Sequence, residues 1–125
     1  MAKILLVDDE KEFVEMLTFR LKKTGGYEVI EAFDGEDGLR LAQKKKPDVI
    51  LLDIMMPKMD GREVMRRLKA DANTAAIPII ILTASVSTKS MAEFAKLGAF
   101  DFIIKPFSSE QLIDKINKAI GDLAK

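Results

Sequence analysis

The most constraining feature of this chain is a series of short apolar runs with no polar residue inside them. Ile4–Val7, Val49–Leu52, Ile79–Leu82 and Phe102–Ile104 are unbroken, and Tyr27–Ala32 is a weaker run of the same kind. A strand with one wet face alternates apolar and polar residues. An unbroken run suits a strand buried on both faces, as in a parallel sheet covered by helices. The stretches between the runs carry helical spacing. Val14, Leu17 and Leu21 form a stripe that Gly25-Gly26 can end. Asp34 can cap a helix carrying Leu39 and Ala42, which Pro47 closes. Val64 and Leu68 mark a third helix; Met91, Phe94 and Leu97 mark a fourth, ended by Gly98. Ser108 and Gln111 make a capping box for the last, whose face is Leu112, Ile116, Ala119 and Leu123. Five successive β–α units predict a doubly wound parallel sheet with five helices on its two faces. The 125 residues suffice for one such domain, 1–125.

Sites in sheets of this kind lie beyond the carboxyl ends of the strands, where strand order reverses. Asp8, Asp9 and Glu10 follow the first run, Asp53 the third, Thr83 the fourth and Lys105 the fifth. In the order 2-1-3-4-5 the first and third strands are neighbours, and Asp8, Asp9, Asp53, Thr83 and Lys105 share one edge. Carboxylates this close raise one another's pKa or destabilise the fold unless neutralised. A magnesium ion together with Lys105 would cancel the charge of Asp8, Asp9 and Asp53, and all-oxygen ligation completed by water and phosphate suits Mg²⁺. Asp53 is also a candidate nucleophile that would become an aspartyl phosphate. In-line phosphoryl transfer needs mostly positioning and charge neutralisation, and Thr83 can donate to a phosphate oxygen.

Composition removes other chemistries. Twenty acids balance twenty bases, so no net field steers the domain onto nucleic acid or an anionic membrane. Without cysteine there is no disulfide, thiolate nucleophile or iron–sulfur site; without histidine there is no histidine catalysis, and most zinc sites are excluded. Ile4–Val7 is too short for the apolar core of a signal peptide, and no run approaches the ~18 residues of a membrane helix. A reducing, cytoplasmic setting is the expectation.

LLVDDE, LLDIMMPKMDG, ILTA and LGAFDFIIKPF, in this order and at the ends of strands, resemble the receiver domains of two-component response regulators over essentially the whole chain. The resemblance supports the flavodoxin-like order 2-1-3-4-5 and implies roles residue by residue. Asp53 would be the phosphoacceptor, Asp9 a direct Mg²⁺ ligand and Asp8 one acting mainly through water. Met55 would give its backbone carbonyl to the metal. Lys105 would contact the phosphate, with a cis bond to Pro106. Thr83 would swing toward the phosphoryl group, and Phe102 would follow inward as an aromatic switch. Gly61 would let the loop after Asp53 turn. The implied donor is a histidine kinase or a histidine phosphotransfer protein, docked on the first helix at Phe13 and Met16 and on Phe107. The implied output is a protein target meeting the fourth helix, fifth strand and fifth helix, a surface carrying Lys89, Glu93, Lys96, Asp114 and Lys118. A monomer is expected, with a phosphorylation-dependent dimer as the other state. Because the chain stops with the fifth helix, a stand-alone receiver of the chemotaxis or phosphorelay kind is expected, though a receiver cut from a longer protein would read the same.

Simpler readings stand beside these. Asp8-Asp9 alone could be a strand-to-helix cap, Asp53 a loop start, and Phe102, Phe13 and Met16 core or half-buried packing. Lys44-Lys45-Lys46 reads as a solvated helix end favoured by the helix dipole. As an enzyme, the chain could be a Mg²⁺-dependent aspartyl-phosphate phosphatase of the haloacid dehalogenase kind, but Met55 stands where that class wants a second aspartate. A flavodoxin would want a glycine- and hydroxyl-rich phosphate loop where these acids stand. A pseudo-receiver that is never phosphorylated would not need the acid–threonine–lysine set. Met55 and Ser85, two residues past Asp53 and Thr83, offer no acid or amide to orient attacking water, so fast loss of the phosphoryl group is not expected.

Overall fold

The computed structural model of the chain describes residues 1–124, with side chains described to residue 121. Five strands alternate with helices: β1 Lys3–Val7, α1 Lys11–Arg20, β2 Glu28–Ala32, α2 Gly35–Lys45, β3 Val49–Asp53, α3 Gly61–Ala70, β4 Ile79–Thr83, α4 Thr88–Leu97, β5 Asp101–Ile104 and α5 Ser109–Ala124. All ladders are parallel, and the sheet order is β2-β1-β3-β4-β5. The doubly wound, flavodoxin-like order expected from the sequence is the one observed.

The unbroken runs are explained by burial on both faces. Every residue of β3 and β4 is buried. Ile4 and Leu6 of β1, with Leu51, Ile80, Leu82 and Ile103, meet Val14 and Leu17 of α1 and Leu112 and Ile116 of α5. Leu5 and Val7, with Ile50, Leu52, Ile79 and Ile81, meet α2, α3 and α4 through Ala42, Val64, Met65, Leu68 and Phe94. Each such Leu or Ile side chain contributes about 1.5–3 kcal/mol by leaving water. The edge strands β2 and β5 are only partly buried, which is why Tyr27–Ala32 reads as the weaker run.

The helix ends follow local chemistry. Asp34 caps α2 by accepting from the Asp37 amide at 2.8 Å. Asp60, unremarked in the sequence, caps α3 by accepting from the Arg62 and Glu63 amides. Ser87 and Ser90 form a reciprocal box at the start of α4, and Ser108 with Gln111 forms the expected one before α5. The Gly25-Gly26 stop is preceded by one π-helical turn, Leu21–Gly25, with Gly26 left-handed at φ 68°. Met91 departs from the expected stripe on α4. It is 47% exposed, and only Phe94 on that helix is buried. Leu123, expected on the buried face of α5, lies outside the described side chains.

Register places the site. Val7 pairs with Leu52, so Asp8 and Asp53 occupy the next rung of neighbouring strands. Asp53 pairs with Leu82 and Thr83 with Ile104, so Thr83 stands one residue beyond Asp53's partner and Lys105 one beyond Thr83's. Gly61 is needed for close approach rather than for a turn. A Cβ there would lie 2.7 Å from the Asp53 carbonyl oxygen and from the Ile54 Cα, both backbone atoms that cannot swing away.

Candidate functional site

The acids meet at the carboxyl end of the sheet, beside the start of α1. Asp8, Asp9 and Asp53 each present a carboxylate oxygen, and these oxygens lie within 4.8 Å of one another. Asp8 is fully buried and Asp53 is 5% exposed, while Asp9 faces solvent. Asp8 accepts from the Glu10 amide at 2.9 Å, which holds the first turn of α1 against the end of β1. Asp53 accepts from the Met55 amide at 3.2 Å. Three clustered acid oxygens with no sulfur or nitrogen donor among them are a donor set for a hard cation such as Mg²⁺.

Lys105 closes the pocket from the end of β5. Its Nζ donates to Asp8 Oδ2 at 2.9 Å, lies 3.4 Å from Glu10 Oε1 and 3.9 Å from Asp53 Oδ1, and sits 4.3 Å from the centroid of the Phe13 ring. Burial alone would lower the lysine pKa, but the hydrogen bond to Asp8 and the charges of Asp8, Asp53 and Glu10 raise it overall. The Lys105–Pro106 peptide is cis, as expected.

Asp53 carries the electrostatic cost of this crowding. Burial, and next the negative charge of Asp8, push its pKa from 3.8 up to about 6; Lys105 and the Met55 amide pull the other way, and Asp9 adds a further push. At neutral pH the carboxyl is still mostly ionised, hence nucleophilic, and it gains from any cation that enters.

Thr83 is buried at the end of β4, and its hydroxyl donates to the Ser85 carbonyl at 2.7 Å, within its own loop. Thus Asp8, Asp9, Asp53 and Lys105 form one cluster, and Thr83 borders it with its proton turned elsewhere. Phe102 is half-buried and packs at 6.3 Å, tilted 53°, against Phe94 of α4. The Met55 side chain is 69% exposed. Phe13 and Phe107 are half-buried, and Met16 is 43% exposed. Together with Leu17, Arg20 and Pro106 these three line an apolar groove of about 410 Å³ that opens beside Lys105.

Two contacts had no signal in the sequence. Glu10 stands in the acid run but reaches Lys105 rather than the three clustered oxygens. Arg62 of α3 bonds Glu93 of α4 at 2.6 Å, which turns Glu93 toward α3 rather than leaving it free on the outer face of α4. Neither pair has a spacing within one helix that would announce it.

Among known proteins, the family model of the response regulator receiver domain matches residues 4–117. Protein PilH of Pseudomonas aeruginosa is 41% identical over 121 residues, which is 97% of this chain and 99% of that protein. The chemotaxis protein CheY4 of Vibrio cholerae superposes with a TM-score of 0.90 at 35% identity, covering 95% of this chain and 98% of that one. The receiver domain of the Francisella response regulator 1452 gives 0.90 at 32% identity, with 98% and 99% covered. No helix among the described residues is long and apolar enough to cross a membrane. Since the match runs through every strand that builds the acid pocket, the chain belongs to the response regulator receiver domains of two-component signal transduction.

Proposed function

We propose that the chain is a single receiver domain, 1–125, that accepts a phosphoryl group on Asp53 and signals to a protein target through α4, β5 and α5. The observation that carries this reading is the setting of Asp53: a nearly buried carboxylate, clustered with Asp8 and Asp9 and 3.9 Å from the Lys105 ammonium. In the transfer, an Asp53 oxygen bonds to phosphorus as the bond from phosphorus to the donor's imidazole nitrogen breaks, and the electron pair stays on that nitrogen. Asp8, Asp9, Asp53 and the Met55 carbonyl would hold Mg²⁺, which when bound supplies positive charge to the phosphate oxygens. Lys105 supplies a second positive group. Thr83 gives up the Ser85 carbonyl and donates to a phosphate oxygen, and Phe102 rearranges with Phe94 and α4. Phosphorylation takes Asp53 from about one negative charge to about two, and that added charge biases the two arrangements.

This chain has no histidine to carry the phosphoryl group itself, so the donor is a partner's phosphohistidine, on a histidine kinase or a histidine phosphotransfer protein, or a small acyl phosphate. The docking surface for a protein donor is the apolar groove at Phe13, Met16 and Phe107, which opens beside Lys105. The family membership and the likeness to CheY4, described as a chemotaxis protein, support output by protein contact. We take the resting state to be monomeric. The test is intact mass after incubation with acetyl phosphate and Mg²⁺, for the native chain and for Asp53→Ala. One added phosphoryl group that requires both Mg²⁺ and Asp53 is expected. No adduct, even with beryllofluoride as a mimic, would leave the acids with a structural or metal-binding role and make the chain a pseudo-receiver.

A further inference from the structure

We propose that Phe13 is a positioning residue for Lys105: the face of its ring keeps the ammonium group over the acid pocket, where it meets the phosphoryl group arriving at Asp53. The proposal rests on the receiver reading above. A cation within about 6 Å of an aromatic centroid is attracted to the negative face of the ring, more strongly where water is excluded. Lys105 Nζ lies 4.3 Å from the Phe13 centroid, and its side chain is only 18% exposed.

The ring is itself braced. Phe107, two residues after Lys105, meets Phe13 edge-on at 6.1 Å and 87°. Ammonium and ring therefore come from different ends of the chain and are fixed against each other by a third side chain. Phe13 packs against the edge of the core, but the core does not enclose it. Val14 and Leu17 fill the buried face of α1, while Phe13 is half-buried at the wall of an open groove.

A flexible lysine stem needs such a wall. Lys105 has an alternative partner in Glu10, whose exposed carboxylate lies 3.4 Å away on the solvent side. Without the ring face, the ammonium gains freedom to follow Glu10 outward, away from Asp53. Leucine would replace the apolar volume of Phe13 but not its quadrupole, so the two roles separate by chemistry.

The experiment uses the full chain and acetyl phosphate with Mg²⁺, a small donor that needs no docking surface. The initial rate of Asp53 phosphorylation is read by intact mass for native protein, Phe13→Leu, Phe13→Tyr, and mono- and trifluorinated phenylalanine at position 13. Phe13→Leu is expected to slow the reaction about 3- to 10-fold, with Phe13→Tyr within about 2-fold of native and a stepwise loss as fluorine drains the ring face. In a Lys105→Met background the Phe13→Leu effect should vanish. Without metal, the Lys105 Cε protons should be ring-current shifted upfield in the native chain and lose that shift in Phe13→Leu. Equal rates across the fluorinated series, a faster Phe13→Leu, or an unshifted Lys105 would overturn the proposal. A native chain that takes up no phosphoryl group would instead overturn the receiver reading, and this inference with it.

Discussion

The two flanks of the acid pocket are built differently. On one flank, Lys105 is held by Asp8, Glu10 and the Phe13 ring, with Phe107 behind the ring. On the other, Thr83 has spent its proton on the carbonyl of Ser85, inside an exposed loop, and the helix behind that loop buries only Phe94. By contrast α3 buries Gly61, Val64, Met65 and Leu68. The first flank is preorganised for charge, because its parts are already where a phosphoryl group would need them. The second has an alternative partner for its hydroxyl and a helix with little apolar anchoring, so it can move at low cost. Under the proposed function, one side of the site binds the phosphoryl group and the other side reports it.

Substitutions can break this division. Lys105→Met should slow phosphorylation by acetyl phosphate by on the order of 100-fold, the scale of removing one charged donor from a preorganised site. Thr83→Ala should leave that rate within about 3-fold, yet abolish the change in Phe102 resonances that beryllofluoride produces in the native chain. If both substitutions cost the same rate, the flanks do not divide the labour.

The acids between the flanks can be tested by pH. Because the folded pKa of Asp53 is raised from 3.8 to about 6, the folded chain binds a proton that the unfolded chain releases between those values. Without metal, its contribution is therefore most favourable below pH 3.8, declines as pH rises, and levels off above about 6. Asp53→Asn should remove this decline and stabilise the metal-free chain at pH 8 by on the order of 2 kcal/mol in urea denaturation. Added Mg²⁺ should stabilise the native chain and narrow the gap to the variant. An Asp53→Asn variant no more stable than native at pH 8 would mean that Lys105 already neutralises the pocket.

The smallest effect sharpens the mobile flank. The Arg62–Glu93 pair is the one ion pair among the described residues that ties α4 to α3. It is partly exposed, so Arg62→Ala should cost less than about 1 kcal/mol in global stability. Its local consequence should be larger: faster amide exchange confined to α4, with α3 unchanged. Unchanged exchange in α4 would show that the restraint lies elsewhere, in the Phe94–Phe102 contact.

Much of the fold was legible because it is written locally. Unbroken apolar runs announce buried strands, and Asp34, Ser108 and Gln111 announce helix starts, since each acts within a few residues of itself. Where a local rule failed, tertiary context had overridden it. Met91 has the periodicity of a core residue, but α4 packs on the sheet through Phe94, leaving Met91 near solvent. Gly61 reads as a turn, but it is required by backbone approaching backbone, which no spacing encodes.

The site divides in the same way. By itself the sequence determined that Asp8, Asp53, Thr83 and Lys105 stand at strand ends, because the ends of apolar runs can be seen one residue at a time. Only the tertiary structure decided how they meet. Lys105 reaches Asp8 across 97 positions and Phe13 from the opposite end of the chain, and Arg62 reaches Glu93 across 31. Such contacts depend on strand register and on the angle at which α1 leaves the sheet, and both are set by packing the whole core rather than by any segment of it.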